Sequence, residues 1–319
     1  MLEELLARAQ DYDIDTKVGG FTNHLPMALI ALDRLGASDA RLKEYFQMYS
    51  ENLKPLEYTS ITEEFNWFEH LGERDKFGAY LEYYTNKINL NGWQAVLRSH
   101  IDKIIQGCAA SAFHALIRLS YGIIQENAKE ITFGLAHLSS HYLRLPESSK
   151  SENEPSAILN NALNTFSDYV ASGDTITNRM IDIANHNKFT NINKFSSGLS
   201  LASLSHLFTQ LYLRSSDFTV LHAVTSCHAM RIVLPYIEDK ENALVGYWSA
   251  ALVAILSVEN LELRDVCEIQ TKSLEQLNVE IAAKSNDDHL IKLVFSCIEE
   301  HKNYKSINHM KILVSKLVK

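Results

Sequence analysis

An all-α fold is what this sequence predicts, and two observations predict it. Glycine occurs 12 times and proline 5 times in 319 residues, so helix breakers are scarce. Apolar residues recur at helical spacing through most of the chain, while strand-type alternation is hard to find. The length admits two ordinary domains or one large one. No repeat of fixed period is present.

In chain order, Asn23 can cap a helix in FTNHLPMALIALDRLG, which carries Pro26 in its first turn, where proline is tolerated. Leu25, Ala28, Leu29 and Leu32 give it an apolar face, and Gly36 stands where a C-cap belongs. A second helix, near 39–53, carries Leu42, Tyr45, Phe46 and Tyr49. ITEEFNWFEHLGERDKFGAYLEYYTNKI holds two more segments, split at Gly72. NGWQAVLRSHIDKII and AASAFHALIRLSYGIIQ are apolar helices separated near Gly107, and ITFGLAHLSSHYLRL follows. PESSKSENEPS, residues 146–156, is the least hydrophobic piece and reads as a loop or flexible linker. A helix is expected over 157–169, then a polar, partly irregular stretch to 198. Helices are expected again over 199–214, 219–236, 241–256, 274–283 and 289–303. Apolar helices flank the linker on both sides, so one domain over 1–319 is favoured.

The net charge is −9, and the basic residues are scattered. A nucleic-acid partner would call for a basic surface and is not expected. No apolar run reaches the roughly 18 uncharged residues of a membrane span. The start, MLEELLARAQDYDID, is amphipathic and acidic, unlike a signal peptide. Cys108, Cys227, Cys267 and Cys297 form no CxxC pair and sit in apolar surroundings. They read as reduced core residues of a cytoplasmic protein.

Thirteen histidines are a high count. His24, His114, His222, His228 and His289 lie inside or at the ends of apolar helices. Each alone reads most simply as a core or helix-end residue; together they suggest a bundle-type metal site. Imidazole suits iron, copper or zinc. His222 and His228 are about 120° and 9 Å apart on a straight helix, so they cannot both point at one spot. HLSSH offers His137 and His141 at i,i+4 spacing, which equally fits a half-exposed helix face. His186 and the histidines of HKNYKSINH read as surface residues. In SNDDHLIKLVFSCIEE, Asn286 or Asp287 can cap a helix. Lys292 near that helix start opposes the macrodipole, and the local answer is an i,i+4 ion pair with Asp288.

The segments FTNHLPMALIALDRLGAS, ITEEFNWFEHLG, NGWQAVLRSHI, SAFHALIRLSYGI, LHAVTSCHAMRIVLPYI and DDHLIKLVFSCIEE occur in an order and spacing that resemble the questin oxidase-like proteins. The resemblance runs from about residue 10 to 305. It implies an all-helical fold with a central histidine-lined pocket. It also implies an oxygenase activity that opens a ring of a polycyclic phenol with O2 and reduced nicotinamide, in a Baeyer–Villiger-like oxidation. The metal, Fe(II), would be held by histidines and a carboxylated lysine. Carried over by motif, the ligand candidates are His24, His114, His222, His228, His289 and Lys292. The motif leaves open which of His222 and His228 ligates. No GxGxxG stands between a strand and a helix, so the NADPH implied as reductant has no visible Rossmann-type site.

An aromatic substrate would need apolar walls, and Phe65, Trp67, Phe113, Tyr121 and Trp248 are candidates beside ordinary core packing. Arg118 and Tyr121 lie four and seven residues past His114, on roughly its face, and are candidates to orient a substrate oxygen. A non-catalytic helical protein that binds an apolar aromatic ligand is the alternative reading, and a helical scaffold is a third.

Overall fold

The computed structural model describes residues 1–58, 65–265 and 273–317. Among them are sixteen α-helices and two small two-stranded sheets, as the expected all-α class requires. The order begins α1 (Leu2–Ala9), β1 (Tyr12–Thr16), α2 (Leu25–Arg34), α3 (Asp39–Ser50), β2 (Leu53–Pro55), α4 (Phe77–Asn91) and α5 (Trp93–Ile104). It continues with α6 (His114–Ile124), α7 (Ala128–Ser140), β3 (Ser149–Ser151), α8 (Pro155–Thr165), α9 (Ile176–Asn185), α10 (Phe189–Ile192) and β4 (Lys194–Ser196). It ends with α11 (Leu201–Ser215), α12 (Phe218–Val233), α13 (Lys240–Leu256), α14 (Glu280–Ala283), α15 (Asp288–Tyr304) and α16 (Ile307–Leu317).

The centre is built by helices that are apolar on every side. Ten consecutive residues of α6, His114 to Ile123, are buried. Such a helix needs neighbours all round. It packs against α7, α12 and α2, while α15 packs against α2, α12 and α16. The α6–α7 approach depends on glycine: a Cβ on Gly134 would meet Leu119 Cα at 2.5 Å, and one on Gly122 would meet the Ile131 nitrogen at 2.8 Å. Helices α2, α6, α12 and α15 thereby bring their N-terminal turns to one region.

Several expected elements differ. Residues 65–72 form turns rather than a helix; 61–64 of that segment lie outside the described residues. Gly72, at φ +89°, sends its N–H to the Ser139 carbonyl, and the Trp67 carbonyl is taken by the Tyr80 hydroxyl. Those bonds leave no helical ladder. The expected 146–156 loop contains β3, which pairs in parallel with β4. The polar stretch after 170 holds α9, whose Thr175 cap and buried Met180, Ile183 and Ala184 give it a narrow apolar stripe. The expected 274–283 helix is broken into a short 3-10 turn and α14. In HKNYKSINH the exception to a surface position is His309: Lys305 turns left-handed, α16 begins at Ile307, and His309 is 1% exposed, while His301 is half-buried. Cys108, Cys227 and Cys297 are buried free thiols; Cys267 lies outside the described residues. Among the described residues no helix is long and apolar enough to cross a membrane.

Candidate metal centre

Each of four histidines is set by a device at a helix start. The Asn23 side chain accepts from the Leu25 N–H and donates to the Asp13 carbonyl, so His24, one residue later than the expected cap, opens α2. His114 opens α6 after Ser111, Ala112 and Phe113, three successive non-glycine residues at φ 47°, 52° and 71°. Left-handed backbone costs about 1–2 kcal/mol per such residue, and this turn aims the Ser111 carbonyl at the His114 ring. Asp217 caps α12 through the Thr219 and Val220 N–H groups, one turn before His222. Asp287 caps α15 through the His289 and Leu290 N–H groups, with Asp288, His289 and Lys292 just inside.

The four rings form a closed circuit. Centroid distances are 4.5 Å for His24–His114, 4.9 Å for His114–His222, 5.3 Å for His222–His289 and 4.9 Å for His289–His24. Every Nδ1 faces an oxygen that can only accept. His24 Nδ1 bonds Asp288 Oδ2, and His289 Nδ1 lies 2.9 Å from Asp288 Oδ1. His114 Nδ1 is 2.5 Å from the Ser111 carbonyl, and His222 Nδ1 is 2.8 Å from that of Phe218. Acceptor-only partners assign the proton of each neutral ring to Nδ1 and leave Nε2 as a lone pair. His24 and His289 Nε2 are buried without a partner, while His114 and His222 Nε2 face each other at 3.2 Å.

Three of the rings, His24, His114 and His222, are held neutral for physical reasons. Burial, then the Lys292 charge, pushes His24 down to about 4 against the pull of Asp288. Burial and neighbouring histidines hold His114 and His222 well below 6.5. Burial opposes the Asp288 charge, but Lys292 and His24 outweigh it and keep the carboxyl well below the usual range. Lys292 is 2% exposed, with Nζ 3.7 Å from Asp288 Oδ2. Burial lowers its pKa, with Asp288 opposing. The expected ion pair is therefore present, but inside the histidine cluster rather than on a solvated face.

The donor set fits a cation. Ligand nitrogens of His24, His114 and His289 lie within 4.8 Å of one another. Buried imidazole lone pairs with carboxylate or carbonyl oxygens behind them are what a divalent first-row metal takes. Two of those lone pairs are orphaned, and two more repel across 3.2 Å.

His228 is not with them. Six residues past His222, it bonds Glu300 Oε1 at 2.9 Å, beside Arg231 on the same carboxylate. Of the two histidines on α12, the structure thus places His222, and not His228, beside His114 and His289. The other expected residues are elsewhere too. Trp67 stacks near His100 and Tyr83, and Phe113 packs on Tyr247. Arg118 pairs with Glu130 at 3.0 Å over the Phe133 ring, Tyr121 meets Phe295, and Trp248 donates to the Lys194 carbonyl. Phe65 stacks on His70. His137 is buried against Ser111 Oγ rather than half-exposed, and His186 is half-buried against Tyr169 rather than solvated.

The expected central pocket is instead a cleft of about 370 Å³ lined by His24, His114 and His289. Neither His222 nor Lys292 lines it, and none of the proposed substrate residues does. Phe21 and Phe218 supply its aromatic surface, and Arg74, Arg179 and His141 its polar edge. Sequence reasoning missed these five as wall residues and took Asp288 only as a partner for lysine. Phe218 stood four residues before His222, one helical turn away, and was a usable signal.

The chain is similar to a protein described as a Baeyer-Villiger oxidase in Paecilomyces divaricatus, at 26% identity over 132 residues. The match covers 37% of this chain and 29% of that protein, under a third of its length. A family model described as questin oxidase-like matches residues 21–297, a span that includes all four clustered histidines and Lys292. The chain belongs to the questin oxidase-like family.

Proposed function

We propose that this protein is a metal-dependent oxidoreductase that uses O2 to oxidise a polycyclic or phenolic aromatic, in a Baeyer–Villiger-like or ring-cleaving reaction. One observation carries the reading: three buried imidazoles and the partly exposed His289 commit their Nδ1–H groups to oxygen acceptors and keep Nε2 free. Family membership and the similarity to a protein described as a Baeyer-Villiger oxidase support the oxidative chemistry.

His24, His114, His222 and His289 are the proposed nitrogen ligands, and Lys292 the proposed source of an anionic oxygen. Fe(II) in that setting supplies a redox-active centre through which O2 reacts with a closed-shell aromatic. Asp288 holds two of the rings in one tautomer and orientation, which raises their basicity as ligands. The buried Lys292 amine, in its neutral form, adds to CO2: an N–C bond forms, one proton leaves, and an anionic carbamate results. Phe21 and Phe218 give a flat ring apolar contact while the cluster beneath excludes water. Reduced nicotinamide is the proposed electron donor for a reaction that inserts one oxygen atom and reduces the other to water.

Elemental analysis of anaerobically purified protein tests this. The expected result is near-stoichiometric iron, lost in His289→Ala, with iron-dependent O2 uptake on a polycyclic phenol. Protein that binds no iron, zinc or copper, and melts identically in chelator, overturns the metal reading. A mass increment of CO2 on Lys292 under non-denaturing conditions, absent in Lys292→Met, tests the carbamate.

A further inference from the structure

The cleft has a polar edge that the proposed chemistry does not use. Arg74 opens the 3-10 turn Arg74–Lys76 and is exposed. Among the described residues its guanidinium has no hydrogen-bond or ion-pair partner. Arg179, on α9, spends one Nη1 on the Gly173 carbonyl at 3.3 Å, and its Nε is buried without a partner. The contrast is with Arg118 and Arg231, where each guanidinium is matched to a glutamate. Asp15 and Asp174 also line the cleft, yet neither forms an ion pair with either arginine. Burial and Asp13 push the Asp15 carboxyl up, while Lys54 and Arg74 act on it in the opposite sense from beyond ion-pair distance. Burial and Arg74 hold the neighbouring His141 down at about 4, so a neutral ring stands beside the free guanidinium.

Lining the same cleft are two aromatic side chains that water would not select: Phe21 is 65% and Phe218 52% exposed. Arginine recognises a planar carboxylate through paired N–H donors, and an aromatic wall recognises a flat ring. The geometry points to a substrate whose flat aromatic ring bears a carboxylate, with Arg74 and Arg179 reading that carboxylate in the cleft. This rests on the histidine cluster being the reaction centre, and it deepens that reading by naming a second anionic group on the substrate.

The test is binding, not turnover. The full chain, with its metal content measured, is titrated with anthraquinone-2-carboxylate and with the isosteric carboxamide, following ligand absorbance. The carboxylate is expected to bind about three- to tenfold more tightly, the range for a charge-assisted contact at a partly solvated site. That preference shrinks with added NaCl. Arg74→Gln and Arg179→Gln each reduce it, leave carboxamide affinity near wild type and leave metal content unchanged. Carboxylate binding also moves the His141 ring resonances of the wild type but not of Arg74→Gln. Equal affinity for the two probes, a preference that survives both substitutions, or no binding of either probe overturns the proposal. Loss of metal in these samples would instead count against the reading of the cluster.

Discussion

His114 Nε2 and His222 Nε2 lie 3.2 Å apart, and neither carries the proton that would make the contact a hydrogen bond. Without a cation between or beside them, two lone pairs oppose each other in a buried site. Replacing one ring by an apolar group of similar size removes the conflict. Metal-free His222→Leu is therefore expected to melt at or above metal-free wild type. Saturating metal stabilises only the wild type, by about 3 kcal/mol at a hundredfold excess over Kd. Differential scanning calorimetry with and without chelator reads both. A metal-free variant clearly less stable than metal-free wild type would show that the contact is no conflict.

Asp288 serves three partners at once: His24, His289 and Lys292. Asparagine in its place keeps the volume but presents an amide N–H to one of the Nδ1–H groups. Outer carboxylates of this kind typically account for about 10–100-fold in metal affinity. Asp288→Asn is expected to weaken metal binding by that factor in equilibrium dialysis, with the fold intact by circular dichroism. Unchanged affinity would remove Asp288 from the site.

His309 gives a pH prediction independent of the cluster. Burial lowers it to about 4, against 6.5 in the unfolded chain, with Glu300 opposing. The unfolded state binds more protons between those values. The stabilisation is therefore complete above pH 6.5 and is lost as pH falls toward 4. The limit is roughly 3 kcal/mol. Urea denaturation from pH 7.5 to 4.5 should show this acid loss, and His309→Gln should make it shallower, the other histidines that burial lowers keeping the rest. An identical slope in the variant would assign the acid sensitivity elsewhere.

Much of the fold was legible because its helices are long and apolar, as α6, α12 and α13 are. Of the candidate site, the motifs marked the residues that the structure gathers inside such helices: His114, His222, His289 and Lys292. What failed was tertiary. Trp67, Phe113, Arg118, Tyr121 and Trp248 look in sequence like wall residues, but side chains on an all-buried helix have several faces to choose from. Arg118 found Glu130 and Trp248 found a carbonyl on β4. The cleft residues Phe21, Arg74 and Arg179 lie in a loop, a short turn and on the polar side of a short amphipathic helix. No periodicity marks them. His309 escaped for a related reason: its polar surroundings hide a helix that packs on α11 and α15.

His228 separates site from scaffold on one helix. Its Nδ1 bonds Glu300, which Arg231 also holds, so α12 and α15 are clasped on the far side of His222. His228→Ala leaves the buried Glu300 with one partner fewer and opens a cavity. Breaking such a pair costs several kcal/mol, and Arg231 retains part of the compensation, so a loss of about 2–4 kcal/mol is expected. Metal content should stay at the wild-type level, because the four clustered imidazoles and Lys292 are untouched. Parallel urea denaturation and elemental analysis of His228→Ala and His222→Leu read the two effects. The first variant is expected to lose stability and keep metal, the second to lose metal and keep stability. Metal lost from a folded His228→Ala would mean that the clasp also sets the spacing of the α15 ligands relative to His222.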